Sequence, residues 1–165
     1  MTHPPDHVAE IMEQWRRERP DLDVSPQGVI GRLHRIANCL TGELVRVYGT
    51  FGLDEGEFDI LATLRRVGSP YEMTPKDLQA STMVTSGAIT KRVDRCVSNG
   101  WVARRVSQGD ARSRIVGLTE AGRELIDAAF TAHIANEHRL VGQLTAVERR
   151  ELATVLERWA SRLHV

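Results

Sequence analysis

Two cysteines, few aromatic residues and no net charge mark this 165-residue chain by what it has little of. Cys39 and Cys96 are too few and too far apart for a disulfide framework or a thiolate zinc site. Cys96 falls on a stripe with Ile89, Val93 and Val97, and Cys39 stands beside Leu40 in an apolar helix, so both are expected as small core residues. No apolar run approaches the roughly 18 residues of a membrane-spanning helix. The opening residues His3 to His7 lack the apolar core of a signal peptide, which predicts a cytoplasmic protein with no membrane partner. Internal repeats and low-complexity segments are absent too. So are a nucleophile elbow, a glycine-rich phosphate loop and an HExxH motif, so neither an enzyme nor a cofactor is expected. A metal sensor would draw on His34, His133 or His138. His133 and His138 stand five apart, off the four-residue step that puts two ligands on one helical face, and no metal ligand is assigned.

What is present is a local excess of positive charge. Residues 91 to 114 carry seven basic side chains (Lys91, Arg92, Arg95, Arg104, Arg105, Arg112 and Arg114) against Asp94 and Asp110. That is a local +5 in a chain whose formal charge is zero. The excess lies on a predicted helix, Thr85 to Ser98, followed by a turn at Asn99-Gly100 and a hairpin of Val102–Val106 with Arg114–Leu118. Thr85 is placed to cap that helix, and Val84 with Ile89 has the spacing of a hydrophobic staple. Ile89, Val93, Cys96 and Val97 form its buried face; Ser86, Gly87, Thr90, Lys91 and Arg95 are offered on the other. A basic helix alone is usually a solvated face. A basic helix with a basic hairpin on a neutral body is the footprint of a duplex-DNA reader.

The rest of the chain reads as helices with strong punctuation. Val8, Ile11, Met12 and Trp15 share a face of a first helix, ended by Pro20. Ser25-Pro26 opens a long second helix to about Tyr48, with Val29, Leu33, Ile36, Leu40, Leu44 and Val47 in one stripe. Asp54 with Glu57 has capping-box spacing and opens a third helix, apolar nearly all round, through Val67. Asp59 interrupts that run, and a carboxylate there needs a partner. Thr74-Pro75-Lys76-Asp77 starts a short helix, which with the Thr85 helix makes a helix-turn-helix. Thr119-Glu120 and Thr145 with Glu148 open two more. The fold class is therefore mainly α with a small β-hairpin wing. Residues 1–50 are N-terminal helices for a ligand site and dimerisation, 51–118 a winged helix-turn-helix, and 119–165 C-terminal dimerisation helices, within one compact domain. The surplus of amphipathic helices at both ends predicts a homodimer, with two recognition helices about 34–36 Å apart on a pseudo-palindromic double-stranded operator.

This order of elements resembles the MarR family of bacterial transcription regulators. The resemblance rests on the run from Gly87 to Arg95 through Asn99-Gly100-Trp101-Val102, on Asp110-Ala111-Arg112-Ser113 in the wing, and on Leu118-Thr119-Glu120-Ala121-Gly122. It implies that Arg112 enters the minor groove, oriented by Asp110. The N-terminal helix with Trp15 and the phrase Arg19-Pro20-Asp21-Leu22-Asp23 further resemble the family's urate-responsive branch. That branch's ligand site implies Trp15, Asp59, Arg92 and Arg104 here. The reading of the residues agrees at two of them: Asp59 wants a partner, and Arg92 lies on the inner side of its helix. A buried Asp–Arg pair remains the alternative at those positions. The function implied is a repressor released from its operator by urate or a similar anionic purine. The alternatives are another small phenolic or anionic ligand, or oxidant sensing through Cys39.

Overall fold

A computed structural model describes residues 6–82, 89–106 and 114–164. The expected cap at Thr85 and staple residue Val84 lie outside them, as do the wing tip and the first turn of the predicted recognition helix. The chain divides into two compact units, residues 1–43 and 44–165, with the boundary inside one long helix.

In the first unit, α1 (His7–Glu18) is capped by Asp6, whose side chain accepts from the Ala9 N–H at 2.9 Å. The same carboxylate takes a fork from Arg32 at 2.7 and 3.0 Å, which pulls its pKa to about 2 and ties α1 to α2 (Gln27–Thr50). Val8 and Met12 are buried, whereas Trp15 is half-exposed. Much of the apolar stripe of α2 is uncovered: Val29, Ile30, Ile36 and Leu40 are all exposed. Cys39 is exposed with them, so the expectation of a core cysteine fails there. An apolar stripe shows that a helix face wants a cover, and α1 covers only part of this one.

The second unit is built on α3 (Glu55–Arg66), where Ile60, Leu61 and Leu64 are completely buried. Its capping box is formed in full, each partner's carboxylate accepting the other's N–H. Then come α4 (Pro75–Ser81), capped by Thr74, and α5 (Ile89–Ser98), whose Ile89, Val93 and Cys96 enter the common core. A three-stranded antiparallel sheet follows the order β1-β3-β2, from β1 (Glu72–Met73), β2 (Val102–Val106) and β3 (Arg114–Leu118). The hairpin has the expected strands, paired with Val102 opposite Leu118, and β1 is an addition to it. The long helix α6 (Glu120–Val141) buries Ile126 and Ala129 against this core; α7 (Ala146–Leu163) buries nothing and exposes Val147, Leu152 and Val155. Among the described residues no helix is long and apolar enough to cross a membrane.

Candidate nucleic-acid interface and ligand site

The amphipathic pattern of α5 decides which side chains are free to act. With Ile89, Val93 and Cys96 turned inward, Thr90, Lys91, Asp94 and Arg95 are exposed. Thr90 and Lys91, two of the residues expected to contact DNA, lie on this exposed face. Ser86, Gly87, Asp110 and Arg112 lie outside the described residues. Burial pushes the Cys96 thiol up to about 12, with the carboxylates of Glu57 and Asp54 adding to it, so this thiol stays protonated at neutral pH.

Arg95 does not stand free. Its Nη1 donates to Asp54 Oδ2 at 2.9 Å, and its Nη2 lies 3.0 Å from Oε1 of the buried Glu57. Arg92, half-buried, is laid against the start of α3: a Cβ added to Gly56 would stand 2.2 Å from Arg92 Nε and 2.5 Å from its Cζ. Asp59 follows Gly56 by three residues on α3 and is half-buried. Its charge also reaches Tyr48, whose hydroxyl is raised to about 12 by burial first and then by Glu55, Glu137 and Asp59.

Arg104 approaches α5 from elsewhere. Alternation along β2 puts Val102 and Arg104 on one face of the sheet and Arg105 on the other. Arg104 accordingly pairs with Asp94 of α5 at 2.6 Å, while Arg105 pairs with Glu72 of β1. Asp94 is about 200° around the helix from Arg92. Arg104 thus reaches α5 on a side turned away from Arg92. Beside Arg104, a cavity of about 390 Å³ opens between α4, α5 and the strands. Buried Leu78, Val93 and Val116 line it, with exposed Thr90, Arg104 and Arg114 at its edge. Trp15 belongs to the first unit.

Sequence reasoning missed two features of the site region. The first is an aromatic cluster: Tyr48 stacks on Phe58 with centroids 4.0 Å apart, and Phe58 and Phe130 flank His133. His133 Nδ1 lies 3.2 Å from the Tyr48 hydroxyl and its Nε2 3.2 Å from Glu137 Oε1. The second is the burial of Glu57, whose place in the capping box was legible but whose ion pair was not.

Residues 51–113 match the family model described as the MarR family. The chain is 39% identical over 151 residues to the HTH-type transcriptional regulator PecS of Dickeya dadantii, covering 92% of this chain and 91% of that protein. Among solved structures, AbsC, a MarR family transcriptional regulator from Streptomyces coelicolor, superposes with a TM-score of 0.76 at 24% identity, over 86% of this chain and 97% of that one. Sco3205 from the same organism, a MarR family regulator in complex with DNA, gives 0.75 at 22%, over 86% and 93%. At these identities the two structures establish the winged-helix fold alone. With the model and the curated relative they leave one conclusion: the chain belongs to the MarR family of DNA-binding transcription regulators and is not an enzyme.

Proposed function

We propose that the protein is a homodimeric repressor that releases its operator when urate or a similar anionic purine binds. The observation that carries this reading is the seat of Arg92 on Gly56, three residues before half-buried Asp59 on α3. A cation and a carboxylate are thereby placed on the two helices whose relative position sets the recognition helix. An anion drawn to the arginine and repelled by the carboxylate changes how those helices pack. Arg104 enters through the resemblance; it stands on the other side of α5 from Arg92, at the edge of an apolar cavity that Thr90 and Arg114 also rim. Trp15 likewise enters through the resemblance alone. In DNA binding, Thr90 and Lys91 read the major groove together with Ser86 and Gly87, and Arg112 with Asp110 reads the minor groove.

The test is a thermal melt with urate, xanthine and a guanosine phosphate. A ligand at 100 times its dissociation constant stabilises the native state by about 2.7 kcal/mol. For a chain of this size that is a shift of about 5–10 °C. Arg104→Ala and Arg92→Ala should remove the shift while the dimer remains; Trp15→Ala tests the aromatic contribution separately. A full shift in both arginine variants would contradict the site. The exposure of Cys39 supports a second reading, release by oxidants. Peroxide-dependent loss of DNA binding that disappears in Cys39→Ser would favour that reading over the first.

A further inference from the structure

Arg95 lies on the outward face of α5, one turn beyond Lys91, where a phosphate contact is the ordinary expectation. Its guanidinium turns back to α3 instead. Each of the two carboxylates it meets already uses one oxygen in the capping box: Asp54 Oδ1 accepts the Glu57 N–H at 2.8 Å, and Glu57 Oε2 accepts the Asp54 N–H at 2.9 Å. The second oxygen of each faces Arg95, Asp54 Oδ2 at 2.9 Å and Glu57 Oε1 at 3.0 Å. The Glu57 side chain is 1% exposed, and Oε1 has no aligned hydrogen bond among the described residues. Its compensation is therefore the charge of Arg95. A buried carboxylate that loses its cation is costly, unlike the exposed pairs whose loss is barely felt. Arg92, one turn earlier, lies on Gly56 between the two acids.

The geometry points to Arg95 as a positioning residue that latches the recognition helix to the first turn of α3, with Glu57 as the group it acts through. The side chain holds α5 at the height and angle from which Thr90 and Lys91 present themselves to DNA, and it contacts no phosphate. This role requires only the family's DNA binding and is independent of which ligand the protein takes. It also gives the start of α3 a direct hold on the recognition helix.

The experiment is a double-mutant cycle on operator affinity, measured across a range of salt concentrations with the full-length protein. The variants are Arg95→Ala, Glu57→Gln and the two combined. The glutamine keeps an oxygen for the Asp54 N–H, so the helix cap survives; melting curves confirm the fold. If Glu57→Gln does melt early, Asp54→Asn replaces it in the cycle, since asparagine is an equally good cap. Each single variant is expected to weaken binding about tenfold, and the double variant no further, because both remove one interaction. The slope of log affinity against log salt is expected to stay at the wild-type value. A slope reduced by about one in Arg95→Ala, with wild-type affinity in the acid variant, would make Arg95 a phosphate contact and overturn the latch. Losses that multiply in the double variant, or wild-type affinity in both singles, would overturn it as well.

Discussion

At Gly122 a single methyl group would undo a junction. A Cβ there would stand 1.9 Å from the Trp101 carbonyl oxygen, which belongs to backbone that cannot step aside cheaply. The neighbouring Thr119 closes the same junction: its hydroxyl accepts the Gly122 N–H at 3.0 Å and donates to the Gly100 carbonyl at 2.7 Å. Gly122→Ala should therefore cost about 3 kcal/mol or more, read from urea unfolding; a change below about 0.5 kcal/mol would show that the contact relaxes freely. Two buried groups make an alkaline prediction. The native state holds the Cys96 thiol at about 12 against 9.0 for the free group, and the Tyr48 hydroxyl at about 12 against 10.0. Raised values favour the neutral form, so their contribution is complete below about pH 9 and is lost as the pH climbs towards 12. Stability should be level from pH 7 to 8.5 and then fall by about 2–4 kcal/mol per group. Cys96→Ala should remove the part of the fall that begins near pH 9, and an unchanged profile would contradict the assignment.

Helix starts carried their own labels. Asp54 with Glu57, Thr74-Pro75, Thr119 and Thr145 with Glu148 each place an oxygen where the first free N–H groups need one, and each is the cap found. The hairpin strands were equally legible, because alternation and a turn are local signals. The two-residue strand β1 was not: it exists only through its pairing with β3, more than forty residues away in sequence. Arg95 escaped for the same reason. A helical wheel places it outward, and nothing short of the tertiary fold brings Asp54 and Glu57 within reach of a side chain that long. At this scale the wing is open to test. Arg112→Ala should lose on the order of 1–3 kcal/mol of operator affinity. Wild-type affinity would remove Arg112 from the interface.

At the scale of the whole molecule, two helices among the described residues leave an apolar stripe uncovered. Val29, Ile30, Ile36 and Leu40 on α2 are exposed, and so are Val147, Leu152, Val155 and Leu163 on α7. Contiguous stripes of this kind mark a protein interface. The sequence showed the stripes but not whether the same chain or a second copy covers them, and Cys39 was misread on that account. Light scattering should give twice the 18.5 kDa chain mass at micromolar concentration; a monomer would remove the pseudo-palindromic operator from the account.

Ligand release of DNA joins these scales, and fluorescence anisotropy of a labelled duplex, selected from random sequence by the protein itself, tests it directly. Titrated with protein at fixed salt, with and without saturating urate, the duplex should bind about 5–150-fold more weakly in the ligand's presence, the usual span of an allosteric coupling. DNA should weaken urate binding by the same factor, and Arg104→Ala should bind the duplex alike in both conditions. Binding curves that coincide with and without urate, xanthine and a guanosine phosphate would contradict the claim that an anionic purine governs this regulator.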